Sequence, residues 1–231
     1  MRRSLTSAFA KVHADFLAQK SPDDISGTAA TLVAFLATRT VVIANVGDVR
    51  AVLCCDKAFS PVVLTRDHLA SDPEEQKRVA AIDGGFVSFE NGRYRLQGRL
   101  ALTRAIGDGP LASYVSCEPH VAVFNASAPH WRFIAVATDG VFDALSNREV
   151  VALALKEMVR AEGVAVAASN HADGAEPTAG SSKSSSPWWT KAARRIVQEA
   201  AARGLTMDNM GVAVVPLPAI SYSSECHAHA P

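Results

Sequence analysis

Between Gly27 and Thr65 the chain carries four short runs of β-branched and small residues, at 28–37, 41–46, 49–54 and 62–65. They are parted by polar or Gly-Asp connections at Thr38-Arg39, Gly47-Asp48 and Asp56-Lys57. Connections this short cannot carry the crossover helix that a parallel pair requires, so the runs are expected to pair antiparallel, most economically as a meander. A doubly wound parallel sheet is thereby set aside.

The flanking sequence supplies helices. Leu5, Phe9, Val12 and Phe16 recur at helical spacing and predict a helix over 4–19 with one core-facing stripe. Asp72 as N-cap, Pro73 at the first position and Glu75 at the third open a second helix, closed by Gly84-Gly85. Asn91-Gly92 between 86–89 and 94–96 is a hairpin signal. Strands are expected at 121–124 and 133–137. Ser146 with Glu149 matches a capping box and opens a helix over 147–162, with Val151, Leu155, Met158 and Val159 on its apolar face and Gly163 as its stop. A last helix over 192–202 ends at Gly204, and Asp208 stands just before a final strand. The expected class is α+β, with antiparallel sheets covered by helices.

A chain of 231 residues with 48% hydrophobic side chains can bury one sizeable core. One domain is expected over 1–218, interrupted by a flexible Ser-rich insertion at 167–187 and followed by a disordered tail at 219–231. The formal net charge of zero removes the usual argument for nucleic acid or acidic membranes as partners. Cys54, Cys55, Cys117 and Cys226 show neither CxxC spacing nor a disulfide framework, which fits a reducing compartment. A cytoplasmic or nuclear location is expected, and a monomer. Residues 1–17 also have the amphipathic, basic character of a mitochondrial transit peptide, with an ordinary domain helix as the reading preferred.

The stretch FIAVATDGVFDALSN (133–147) concentrates the candidate chemistry. A strand-type run delivers Asp139 to its end, Gly140 allows a sharp turn, and Asp143 follows. Asp67 and Asp208 also stand at strand ends. Carboxylates held by a sheet towards one point suit magnesium or manganese, and a pair of such ions can activate water while clamping a phosphoryl group. The stretch alone leaves open whether Asp139 and Asp143 are ligands or ordinary turn acids. His68 reads as structural or solvated rather than as a proton donor, the Cys226-His227-His229 tail as a poor metal site, and Trp188-Trp189 as an anchor for the returning chain. No GxSxG, Walker A or Rossmann glycine signature occurs.

With these residues in view the chain resembles the PPM, or protein phosphatase 2C, family of metal-dependent protein phosphatases. The resemblance rests on ordered motifs: SGTAAT (26–31), VVIANVGDVRAVL (41–53), LTRDH (64–68), RVAAIDGGFV (78–87), LQGRLALTRAIGD (96–108), CEPHV (117–121), ATDGVFDALSN (137–147) and MDNMGVAVV (207–215). It implies two stacked antiparallel sheets flanked by helices, an α-β-β-α sandwich, and a two-metal Mg²⁺ or Mn²⁺ centre acting on phosphoserine and phosphothreonine proteins. By the resemblance, Asp139 and Asp208 match ligands of the second metal ion, and Asp67, Asp143 and Asp139 those of a weaker third site.

The departures bear on activity. The family's phosphate-binding arginine, its early acidic residue and its DGHGG-type motif, which supplies the aspartate bridging both metals, are not among these 231 residues. The fold is therefore expected to be incomplete at its N-terminal side, with an exposed sheet edge, and the chain to be weakly active or inactive. The alternative is a catalytically inactive module of the same fold that works by binding a partner. Val49 and Phe142 are minor departures.

Overall fold

The computed structural model describes residues 1–21, 23–36, 40–55, 61–125, 131–169, 186–205 and 208–217. Strand β3 (Thr40–Val46) shows how the layers are set: every residue from Val41 to Val46 is buried, so both of its faces are covered. Val41 and Ile43 point into a cluster with Ala51, Leu53, Leu64, Ile134 and Leu217, between two sheets. Val42 and Ala44 point the other way, onto Leu5 and Phe9 of helix α1 (Arg2–Ala18).

One sheet has the order β2 (Ala30–Leu36), β3, β9 (His120–Asn125), and both pairings are antiparallel. The other runs β11 (Val212–Pro216), β10 (Trp131–Ala137), β4 (Arg50–Cys55), β5 (Val62–Val63), again antiparallel throughout. Its outer face presents Val52, Cys54, Phe133 and Ala135 to helices α4 (Asn147–Ser169) and α5 (Trp188–Arg203), which answer with Val151, Ala154, Met158, Ala192, Ile196 and Ala200. The layers are α1, sheet, sheet, α4 with α5: the α-β-β-α sandwich that the family resemblance implies.

The meander does not survive as one sheet. β3 and β4 are not neighbours, because the Gly47-Asp48 connection is a corner that carries the chain from one sheet to the other. Gly47 makes the corner possible: its φ is +82°, and a Cβ there would lie 2.5 Å from the Ala29 methyl.

Smaller elements close the ends. β1 (Gly27–Thr28) pairs with β8 (Ile106–Gly107), and β6 (Val87–Glu90) with β7 (Arg93–Leu96) around the Asn91-Gly92 turn. Helix α2 (Pro73–Ala80) begins as predicted, with the Asp72 carboxylate accepting from the Glu74 N–H at 2.8 Å. A four-residue helix, α3 (Asp139–Phe142), follows β10.

Several boundaries differ from expectation for identifiable reasons. Val12 is 56% exposed, and the inward stripe of α1 is Leu5, Phe9, His13 and Phe16; the imidazole Nδ1 of His13 accepts from the Gly107 N–H at 3.2 Å. Helix α4 passes Gly163, where a side chain would meet open space, and continues to Ser169, so the first residues assigned to the insertion are helical. Val159 is exposed rather than buried. Helix α5 starts at Trp188, whose ring packs edge-on against Phe133 at 5.7 Å, as an anchor for the returning chain should. The greater part of the insertion, 170–185, and the tail from 218 lie outside the described residues. Strand β2 is an edge, and Leu32, Phe35 and Leu36 on it are exposed. Among the described residues no helix is long and apolar enough to cross a membrane.

Candidate metal centre

Asp139 is positioned by backbone, not by chance proximity. β10 lies inside its sheet, and Thr138 at its end is extended. The Thr138 N–H donates to the Gly211 carbonyl at 3.0 Å, its hydroxyl donates to the Asn209 carbonyl at 3.2 Å, and the Gly211 N–H donates back to that hydroxyl at 3.0 Å. These bonds fasten the end of β10 to the loop that carries Asp208 into β11. Gly140 admits the close approach, since a Cβ there would stand 2.8 Å from the Asn209 carbonyl and 3.4 Å from the Asp208 Cβ. Asp139 accepts from the Gly140 N–H at 2.8 Å, and Asp208 from the Asn209 N–H at 2.7 Å. Asp143, one turn along, is exposed and donates its own N–H to the Asp139 carbonyl at 2.8 Å.

Asp67 follows β5 and is held by Arg50, whose Nε lies 3.2 Å from the carboxylate. The same guanidinium donates through Nη1 to Asn147 at 3.0 Å and lies 4.6 Å from the centre of the Phe142 ring. Of the four acids singled out from sequence, then, Asp139 and Asp208 sit side by side, Asp143 is one turn from Asp139, and Asp67 is tied to a cation.

A fifth acid joins them. Asp48, at the corner between the sheets, is pushed up to about 6 by burial and by the charges of Asp139, Asp67 and Asp208. Burial likewise raises Asp139, with Asp208 and Asp143 adding to the shift and the Gly140 N–H opposing it. The carboxylates therefore share one field. Sequence reasoning passed over Asp48 because Gly-Asp between two apolar runs reads as a hairpin turn. The available signal was the one that picked out Asp139: an acid beside a glycine at the end of a buried run.

Two neighbours set the scaffold. His68 is fully buried and donates Nδ1–H to the Gly47 carbonyl at 3.1 Å, which braces the corner; burial, with the Arg104 charge, lowers it to about 4. Glu75, only 2% exposed, accepts from the Nε of Arg78 and of Arg104, each at 2.9 Å. Burial pushes its carboxyl up, but the two guanidiniums outweigh this and hold it at about 2.

An all-carboxylate donor set suits a hard divalent cation such as Mg²⁺ or Mn²⁺ rather than zinc. The mutual repulsion felt by Asp48 is what a cation would relieve. Among the described residues, however, no three of His, Cys, Asp and Glu come close enough together to hold an ion by themselves. The donor chemistry fits, while the described residues do not by themselves close a coordination sphere.

A family model, that of protein phosphatase 2C, matches residues 1–210. The chain belongs to the protein phosphatase 2C family. Protein phosphatase 1L of Bos taurus is 41% identical over 130 residues, covering 55% of this chain and 35% of that protein. Probable protein phosphatase 2C 30 of Oryza sativa subsp. japonica is 42% identical over 141 residues, covering 61% of this chain and 33% of that protein. The chain thus spans about a third of the length of these curated relatives. The fold matches a serine-threonine phosphatase 2C from Toxoplasma gondii with a TM-score of 0.70 at 20% identity, over 94% of this chain and 67% of that one. A C. elegans sex determining protein matches with a TM-score of 0.70 at 24% identity, over 93% of this chain and 45% of that one. Both identities are low enough that these two likenesses bear on the fold alone.

Proposed function

We propose that this chain supplies one side of a divalent-metal centre that hydrolyses phosphoserine and phosphothreonine esters in proteins. The observation that carries the reading is the placement of Asp139 beside Asp208, fixed by the Thr138 bonds to Asn209 and Gly211, with Asp48 close enough that their charges add to the upward shift that burial gives it. Asp139 and Asp208 would hold the ion, and Asp67 and Asp143, with Asp139, an accessory one. A bound Mg²⁺ or Mn²⁺ supplies the Lewis acid that makes water a nucleophile and offsets phosphoryl charge. The chain's own residues do the positioning. Thr138 fixes the Asp139 and Asp208 loops to one another, the Gly140 N–H orients one Asp139 oxygen, and Arg50 sets the Asp67 carboxylate.

The test is calorimetric titration of the purified chain with Mn²⁺, beside phosphate release from a phosphothreonine peptide. Saturable Mn²⁺ binding that Asp139→Ala and Asp208→Ala each weaken by tenfold or more is the expected result. Binding that is indifferent to both substitutions sinks the assignment.

A second reading has its own support: among the described residues no three of His, Cys, Asp and Glu close on one point. On that reading the chain is a binding module without turnover. Mn²⁺-dependent phosphate release from the chain alone, lost in Asp139→Ala, decides for the enzyme; metal binding with no release decides for the module.

A further inference from the structure

The β6–β7 hairpin stands apart from both main sheets and pairs with neither. Cross-strand partners share a face and alternate residues change face, so Val87, Leu96, Phe89 and Tyr94 lie on one side, Ser88, Glu90, Arg93 and Arg95 on the other. At the base, Val87 and Leu96 enter a buried cluster with Val79, Ala105 and Val115. Towards the tip the same face continues as Phe89 and Tyr94, ring centres 4.8 Å apart, and there nothing covers it: Phe89 is 62% exposed and Tyr94 43%. On the opposite face neither Arg93 nor Arg95 has an ion pair or side-chain hydrogen bond among the described residues.

The backbone is open at the same place. Asn91 (φ 51°) and Gly92 (φ 77°) form a two-residue turn of the type that makes Glu90 and Arg93 the hydrogen-bonded closing pair. By alternation, the N–H and C=O of Tyr94 point away from β6. Leu96, the next residue with outward groups, is already bonded to Leu100, at 2.7 and 3.2 Å. The free edge is therefore short and centred on Tyr94.

We infer that this hairpin is a docking site for an extended protein segment that alternates acidic and apolar side chains. A strand laid along β7 sends successive side chains to opposite faces, so its apolar residues meet Phe89 and Tyr94 while its carboxylates meet Arg93 and Arg95. A nucleic acid strand is the weaker fit. Its bases need aromatic faces and cations within reach of one backbone, and here those groups lie on opposite faces of the hairpin. The site is independent of the metal centre and is tested by binding alone.

The experiment is fluorescence anisotropy of the intact chain with a fluorescein-labelled peptide of alternating glutamate and leucine. Saturable binding is expected, with at least about a tenfold loss of affinity in Phe89→Ser/Tyr94→Ser and in Arg93→Glu/Arg95→Glu. A peptide alternating lysine and leucine should not bind. No saturation up to about 1 mM, equal affinity in the parent and both double variants, or tighter binding of oligo-dT than of the peptide overturns the inference. Circular dichroism checks the fold of each variant. Should loss of the two aromatics disturb it, the arginine pair decides.

Discussion

The guanidinium of Arg50 holds the Asp67 carboxylate and also reaches Asn147 at the start of α4, so one cation joins the acid cluster to the helical layer. Both partners of the ion pair are partly buried, at 27% and 21% exposure, which lifts it above the near-zero value of a surface pair. Arg50→Gln is predicted to lower stability by about 1–2 kcal/mol, read from urea denaturation. The same change leaves Asp67 without its counter-charge beside Asp48. Mn²⁺ affinity is therefore predicted to rise several-fold by calorimetry, and an unchanged affinity would place Asp67 outside the reach of the ion.

Asp48 predicts a pH dependence with a definite sign. Its carboxyl titrates at about 6 in the folded chain against 3.8 for the free group. Between those values the folded chain keeps a proton that the unfolded chain has released, so stability falls as pH rises through the window and stays lower above it. Asp48→Asn removes the effect. The variant's stability relative to the parent should climb from pH 4 to 6 and then level off. The comparison must be made between variants, because His68, lowered from 6.5 to about 4, contributes the opposite slope: its part is complete above 6.5 and lost as pH falls to 4. A flat difference curve would mean that neither burial nor the neighbouring carboxylates raise Asp48.

Glu75 gives the reverse case. Its carboxyl is held at about 2 against 4.5 for the free group, so its contribution is present above 4.5 and disappears as pH falls towards 2. Glu75→Gln leaves Arg78 and Arg104 without the carboxylate that both contact, and removing one partner of a buried pair costs about 3–5 kcal/mol. The predicted loss is about 3 kcal/mol in urea denaturation at pH 7, shrinking as the pH is lowered below 4. A loss that does not vary with pH would assign the effect to packing instead.

How much of this was legible beforehand depended on whether a feature was local. The Ser146–Glu149 capping box forms as predicted, with reciprocal bonds of 2.8 and 3.3 Å, because all of its atoms lie within one helical turn. The Asp72 cap and the Asn91-Gly92 turn are local in the same sense. The β3–β4 corner was not legible: Gly47-Asp48 has the composition of a hairpin turn, and only the packing of Val41 and Ile43 against Leu53 and Ile134 shows that the chain changes sheets there. Asp48 was missed with it. Glu75 read as a helix-start acid, while its partner Arg104 is 29 residues away and no spacing rule connects them. Asp139 could be singled out since a buried strand and a glycine flank it, but its position against Asp208 depends on bonds between Thr138 and the loop 71 to 73 residues later.

That last contact predicts what Gly140 is for. Its φ is not in the left-handed region, so the backbone alone does not require glycine. Space does: a Cβ would stand 2.8 Å from the Asn209 carbonyl, and the neighbour is backbone that cannot swing aside. Gly140→Ala must therefore push the loop away by some tenths of an ångström, at a predicted cost of about 1–3 kcal/mol. Asp208 moves with that loop, so Mn²⁺ affinity should fall about tenfold even though no proposed ligand has been removed. Gly163→Ala is the control, because a side chain there meets nothing within 4 Å and exchanging glycine for alanine inside a helix stabilises by about 1 kcal/mol. Opposite signs for the two substitutions in thermal melts, with metal binding altered only at Gly140, are the expected result. A Gly140→Ala chain that melts and binds Mn²⁺ like the parent would show that the loop carrying Asp208 is not held where the Thr138 bonds place it.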